Sequence, residues 1–296
     1  MSESELLARA QSGDRAALEA LLTLHQAKLY RFSLKMCRDE QDARDVVQET
    51  LVAMARGVRD FRGQSSLATW LFTIARSFCS KQRRTSKYAP TEMLSVDSAS
   101  SHDRAIAGAV LDPSDTPDEA LVHRRIEQAL ESAIRALDPM YREVLILRDV
   151  EGLSAQEVSQ IVQLSVGAVK SRLHRARLAV RERIAPLLDI EPSTSSQPAA
   201  VLAPNFSKQL QQLNGGCPDV LLLFSQHLEG EISAEVCTQM QGHLQECERC
   251  SASCASLRET LRLCKPSEGD QSVAPNVQAS VRQAIAQLSQ QDPALR

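Results

Sequence analysis

The sequence predicts an all-α chain: two helical domains followed by a small, helical, cysteine-rich module. Three observations carry that prediction. Aromatic residues make up 3% of the 296 residues and Gly numbers 11, too few for the aromatic strands and Gly-rich turns of a large β-sandwich or barrel. Apolar residues recur at helical spacing, in stretches otherwise built from Ala, Arg, Gln and Glu. Cysteines are segregated: Cys37 and Cys79 stand alone upstream, whereas Cys217, Cys237, Cys247, Cys250, Cys254 and Cys264 crowd the C-terminal part. With 43% hydrophobic and 24% charged residues the chain can build packed cores, and its length suits two or three domains. No apolar run approaches the ~20 residues that span a bilayer. The acidic start, Met1-Ser-Glu-Ser-Glu, has no basic-then-apolar signal pattern, so a cytoplasmic location is expected.

Taken in order, residues 5–84 read as helices with short connections, from Leu18, Leu21, Leu22 and Leu29 to Val46, Val47, Leu51 and Met54. Residues 85–118 turn to Ser, Asp, Thr and Pro and read as a flexible linker, with a short helical piece at Arg104–Leu111. A second helical domain covers 119–188, its first helix starting at Pro117. A second linker, 189–214, contains Glu191-Pro-Ser-Thr-Ser-Ser-Gln-Pro198. The cysteine-rich module occupies 215–264. A tail, 265–296, holds a helix candidate at Val277–Leu288.

The second domain carries the sharper local signals. Asp138-Pro139 suits a helix start, a capping side chain followed by Pro at the first helical position. The helix Met140–Asp149 ends near Gly152. Ser154-Ala-Gln-Glu157 then forms a capping box, and Val158, Ile161 and Val162 give the next helix its apolar face. After the short Gln163-Leu164-Ser165 connection, Ser165 caps a third helix, Val166–Ile184. That is a helix-turn-helix. On its last helix Val169, Leu173, Ala176 and Val180 share one face; Gly167, Ser171, His174 and Arg175 lie opposite, flanked by Lys170, Arg172 and Arg177. Between Lys170 and Arg183 the bases also include Arg181, and Glu182 is the one acid. A basic helix can be a plain solvated face, but capping, turn and charge together favour DNA, with early positions reaching base edges and flanking bases neutralising phosphates.

In the first domain, Asp42-Ala-Arg-Asp45-Val-Val-Gln48-Glu49 opens an amphipathic helix whose exposed side is acidic and amide-bearing. The loop from Phe61 to Thr69 precedes a helix ending in Lys81-Gln-Arg83-Arg84. A Gly- and Ser-bearing loop with an aromatic, beside a basic helix, suits single-stranded DNA. Trp70 and Phe72 read better as core than as base contacts.

In the cysteine-rich module, His243 and Cys247 are four apart and share a helix face, Cys250 follows on the next turn, and Cys217 can supply a fourth ligand. One His and three Cys suit a tetrahedral, closed zinc site. Reduced, unliganded thiols are the plainer alternative. Cys237, Cys254 and Cys264 exceed one site's needs and are open to three uses: spare thiols, a redox pair, or ligands for a second, sensed metal. His227 reads as surface, with ligation as the alternative.

On these residues the chain resembles the extracytoplasmic-function group of sigma-70 RNA polymerase sigma factors. Asp45-Val-Val-Gln-Glu-Thr-Leu looks like the region-2 clamp-binding motif. Phe61-Arg-Gly-Gln-Ser-Ser-Leu-Ala-Thr-Trp-Leu-Phe-Thr-Ile-Ala-Arg76 looks like the segment that melts and reads the −10 element. Leu137-Asp-Pro, Gly152-Leu-Ser-Ala-Gln-Glu-Val and Val166-Gly-Ala-Val-Lys-Ser-Arg-Leu-His-Arg-Ala-Arg177 look like region 4, which reads the −35 element. The resemblance implies that Asp45, Gln48 and Glu49 contact the clamp of bacterial core RNA polymerase. It implies that Phe61, Arg62, Ser65 and Ser66 hold a flipped −10 base while Arg76, Lys81, Arg83 and Arg84 track the DNA backbone. It places Gly167, Lys170, Ser171, Arg172, His174, Arg175 and Arg177 on the −35 major groove of promoter DNA. The C-terminal pattern of Cys217, Leu-Glu-Gly-Glu-Ile-Ser233 and His-x3-Cys-x2-Cys resembles the zinc-binding anti-sigma fold, here fused.

Many members of that group end soon after region 4, whereas this chain runs on for about a hundred residues, which sets its regulation apart. Residues 187–296 hold 7 Lys and Arg against 12 Asp and Glu, a net −5, whereas residues 1–186 carry +2. An intramolecular contact of the acidic tail module with the sigma domains is therefore expected, responsive to metal or thiol oxidation. The alternative is a helix-turn-helix regulator that does not bind core polymerase and carries a structural zinc module. No P-loop, dinucleotide fingerprint or nucleophile elbow is present, and three Cys plus His leave no open catalytic position, so an enzyme is not expected.

Overall fold

The computed structural model describes residues 1–37, 39–88, 117–188 and 217–266, with isolated positions 278, 279 and 283; all regular structure among them is helical. The first bundle comprises α1 (Glu3–Gln11), α2 (Arg15–Met36), α3 (Glu40–Gly57) and α4 (Leu67–Tyr88). Each start is chemically marked. Ser2 and Glu5 form a capping box on α1, Asp14 caps α2 and Asp39 caps α3. Ser66 caps α4, its hydroxyl accepting the Thr69 amide at 3.1 Å. Leu21, Leu29, Phe32, Val47, Leu51, Met54 and Leu71 fill the interior, with Phe32 edge-on to Phe72 at 5.3 Å. As expected, Phe72 is core. Trp70 is half-buried against Phe61 and over Gly57, where an added Cβ would stand 3.1 Å from the indole and press it aside by a few tenths of an ångström.

The second bundle comprises α5 (Pro117–Arg135), α6 (Pro139–Leu145), α7 (Ala155–Val162) and α8 (Val166–Ile184). The expected capping box of Ser154 and Glu157 and the Ser165 cap are both present. The expected helix Met140–Asp149 differs in kind: α6 passes into a π-turn at Ile146–Val150, closed by the Glu151 amide on the Ile146 carbonyl at 2.9 Å. Gly152, at φ +76°, then turns the chain into α7. Between α7 and α8, Gln163 takes the left-handed conformation at φ +57°, an unusual role for a residue with a side chain.

The cysteine-rich module comprises α9 (Val220–Leu228), α10 (Ala234–Glu246) and α11 (Glu248–Cys264) around a small core of Val220, Leu223, Phe224, Met240, Cys254 and Leu257. The two larger bundles share one continuous apolar cluster, which Cys264 joins from the end of α11.

One helix reaches further into the expected 85–118 linker than the composition suggested, α4 ending at Tyr88, whereas α5 starts at Pro117 as expected. Nothing from Thr85 to Tyr88 breaks a helix before Pro90, and Pro suits a first helical position. The helical piece expected at Arg104–Leu111 and most of both linkers lie outside the described residues. Of the Val277–Leu288 helix candidate only 278, 279 and 283 are described, all helical.

Candidate nucleic-acid interface and metal centre

Along α3, Val46, Val47, Thr50 and Leu51 face inward, which leaves Asp45 and Gln48 half-buried and Glu49 exposed on the outer side. Gln41 donates to Asp45 at 3.0 Å. Between Asp60 and Leu67 the loop has no regular structure, with Gly63 at φ +67°. Arg62, Gly63, Gln64 and Ser66 are exposed, Phe61 and Ser65 half-buried. Gln11 donates to the Phe61 carbonyl at 2.7 Å and so ties the loop to α1. Arg76 lies further along α4 and its Nε donates to Glu143 at 2.6 Å. Lys81 is exposed; Arg83 and Arg84 continue the helix.

On α8, Val169, Leu173, Ala176 and Val180 are fully buried, the expected inner face. Gly167 and Arg175 are exposed, and Lys170, Ser171 and Arg172 half-buried. Two residues depart from expectation. Arg177 is 2% exposed and does not flank an open face. Its guanidinium grips Asp149 through two bonds, at 2.8 and 2.6 Å, and also donates to Glu229 at 2.9 Å and to the Ser225 hydroxyl at 2.9 Å. His174 is also buried, and burial pulls its imidazole below the ordinary range, offset in part by Asp219. The physical reason is the same for both: the cysteine-rich module packs along this edge of α8.

That packing is led by one tight turn. After α9, Gly230 at φ +68° closes the helix, its amide on the His227 carbonyl at 3.0 Å. The turn presents Glu229 and Glu231, on either side of Gly230, to the second bundle. The Glu229 side chain is 4% exposed and accepts from Arg177 and, at 3.0 Å, from Arg148; Glu231 accepts from Lys170 at 2.6 Å. Two carboxylates thus meet three bases, two of them on the basic helix. Net charge pointed to an acid-base contact but not to these partners. The visible signal was Glu229-Gly-Glu231 itself, which does not name what it faces.

The four expected metal ligands come together. Cys217, His243, Cys247 and Cys250 place one ligand atom each within 4.8 Å of one another. Cys217 and Cys247 sulfurs are 3.7 Å apart, and two thiolates on a tetrahedral zinc with bonds of ~2.3 Å would stand roughly 3.8 Å apart. His243 Nε2 is buried with no hydrogen-bond partner, as a ligating nitrogen would be before its metal is added. The residues therefore fit the ion. Burial pushes the Cys250 thiol up to about 12, whereas the Cys250 amide and thiol hold Cys247 low. The remaining cysteines lie apart from this cluster: Cys254 and Cys264 are buried, and Cys237 is half-buried with its sulfur 3.7 Å from His227. Among the described residues no helix is long and apolar enough to cross a membrane.

Comparison with known proteins matches residues 21–88 to the Sigma-70 region 2 family, 127–180 to the Sigma-70, region 4 family, and 217–251 to the family described as "Putative zinc-finger". The RNA polymerase sigma-H factor of Pseudomonas aeruginosa is 31% identical over 63% of this chain and 95% of its own length. The ECF RNA polymerase sigma-E factor of Haemophilus influenzae is 30% identical over 64% of this chain and 98% of its own. The ECF sigma factor SigW of Bacillus subtilis is 26% identical over 60% and 94%. The solved complex of CnrH with the cytosolic domain of CnrY superposes with a TM-score of 0.44 at 26% identity, over 64% of this chain and 99% of that one.

Proposed function

The chain belongs to the extracytoplasmic-function group of sigma-70 RNA polymerase sigma factors, and from that premise we propose that its own C-terminal module gates its access to promoters. The outer side of α3, with Asp45, Gln48 and Glu49, docks on the core polymerase clamp. The Phe61–Ser66 loop and the first turn of α4, through Thr69, take the −10 strand, and Arg76, Lys81, Arg83 and Arg84 follow its backbone. Gly167, Ser171 and Arg175 face the −35 groove, with Lys170 and Arg172 on phosphates. Arg177 acts from the buried side. Its paired bonds to Asp149 fasten α8 to the π-turn, so it sets the pose of the reading helix and does not touch DNA.

The observation that carries gating is the buried Glu229 between Arg148 and Arg177, with Glu231 on Lys170 beside it. Docked there, the module neutralises one phosphate-binding base and covers one edge of the helix that must enter the groove. DNA and module therefore compete for α8. Zinc is the ion this donor set suits, held by Cys217, His243, Cys247 and Cys250, and when bound it supplies a structural cross-link among the start of α9, the end of α10 and the start of α11. With that link the Glu229 turn keeps its shape; chelation or thiol oxidation loosens the module and releases α8.

The test is run-off transcription with bacterial core polymerase, comparing the full chain loaded with zinc and treated with chelator. Chelation raises transcript yield if the module gates access; equal yield rejects gating. Asp45→Ala with Gln48→Ala abolishes core pull-down if α3 is the clamp face. Retained pull-down rejects that assignment.

A further inference from the structure

We propose that region 4 also closes the −10 site from within, two of its glutamates standing where single-stranded DNA would bind. This closure is separate from the cysteine-rich module, and it rests on the reading of the Phe61–Thr69 segment, the loop and the first turn of α4, as the −10 site.

Glu157, on the first helix of the helix-turn-helix, places Oε1 2.9 Å from the Ser66 hydroxyl and 3.5 Å from the Thr69 hydroxyl, both of which donate to it. Ser66 is the cap of α4, so a carboxylate sits at the N-terminus of a 22-residue helix, where the unpaired amides and the helix dipole favour an anion. Further along α4, Arg76 donates at 2.6 Å to Glu143, which is itself buried. Ser66 would meet a base or sugar, and Arg76 a phosphate. Both instead hold carboxylates from one neighbouring domain, which offer acceptor oxygens at both places and, at Arg76, the negative charge a phosphate would bring.

The rest of the junction fixes this pose. Arg31 of α2 makes a paired contact, at 3.1 and 2.9 Å, with Glu151, whose side chain is fully buried. Arg142 reaches the Lys35 carbonyl at 3.4 Å. Glu143, Glu151 and Glu157 thus all turn from the second bundle to the first. Glu157 also belongs to its own capping box, through the Ser154 amide and hydroxyl. One side chain therefore closes a helix end in region 4 and occupies a hydroxyl pair in region 2. Single-stranded DNA reaches the loop only when the two domains part, as they must to span −10 and −35 at once.

The test is fluorescence anisotropy of the full chain with a mixed-sequence single-stranded 12-mer. Glu143→Gln with Glu157→Gln keeps both shapes and the capping acceptor but removes the charge. The expected result is a roughly tenfold lower Kd, the size associated with a charged hydrogen bond, and loss of that gain when Arg76→Ala is added. The same gain is expected in a Glu229→Gln background, which separates this closure from module docking. A Kd equal to the unsubstituted chain's, with binding still lost on Arg76→Ala, overturns the proposal and leaves the −10 reading standing. Binding indifferent to Arg76→Ala and Ser66→Ala in every background overturns both.

Discussion

Replacing Glu229 by Gln should release the reading helix without deleting anything. The substitution keeps shape and one hydrogen-bond acceptor but removes the charge between Arg148 and Arg177. Breaking a buried ion pair from one side generally costs about 3–5 kcal/mol, because a charge is left uncompensated. Here Arg177 keeps both bonds to Asp149, and Arg148, 24% exposed, can turn to water. The loss therefore falls below that range, at about 2 kcal/mol, roughly 30-fold in the docking equilibrium. Phosphate binding by Lys170 and Arg172 is sequence-independent, so a generic 20-bp duplex at low salt reports on the release. Glu229→Gln should bind it up to about 30-fold more tightly, with the ceiling set by a chain ending at residue 190. Glu235→Gln, an exposed site on α10, removes the same charge and should change binding far less. The reasoning is refuted if the shortened chain binds tightly while Glu229→Gln binds like the parent or like Glu235→Gln.

Three further outcomes follow from the same contacts. Cys250→Ser should lower zinc from about one ion per chain to a trace by plasma emission, and make residues 217–266 protease-sensitive, because ligation and folding of so small a core are linked; full zinc content would remove Cys250 from the ligand set. Leu257→Ala, at a fully buried site, should cost roughly 2–5 kcal/mol and unfold the cysteine-rich module while the two larger bundles keep their melting transition, as separated by hydrogen exchange. Burial alone would raise the Glu157 carboxyl, but the Ser154 amide and the hydroxyls of Ser154, Ser66 and Thr69 outweigh it and hold the group below its ordinary 4.5. Its stabilisation is thus complete above that value and lost as pH falls through the lowered one. The urea-midpoint advantage of the parent chain over Glu157→Gln should shrink as pH is taken below 4.5, and a constant gap would contradict the assignment.

Local signals were legible where one residue type decides the outcome. Ser154 and Ser165 had to cap helices, Asp138-Pro139 had to start one, and the spacing of His243, Cys247 and Cys250 put three ligands on adjoining turns. The fourth, Cys217, was reached by chemistry and not by periodicity, since its approach depends on how α9 packs. Long-range partners were not legible. Nothing in the sequence links Arg177 to Asp149 and Glu229, so a basic residue on a basic helix read as a DNA contact. Its burial is not legible there because a helical face says which side is polar, not whether another module covers it. The π-turn at Ile146–Val150 is hidden because its apolar residues fit an α-helix equally well. Glu157 was read for its cap alone, and its second role needs region 2 beside it.

The most direct test is run-off transcription at equal concentrations of the full chain and a chain ending at residue 190, each with bacterial core polymerase. If the module holds α8 away from promoter DNA, the shortened chain yields more transcript and no longer responds to chelator. Equal yields from the two chains would mean that the contacts of Glu229 and Glu231 do not limit promoter access.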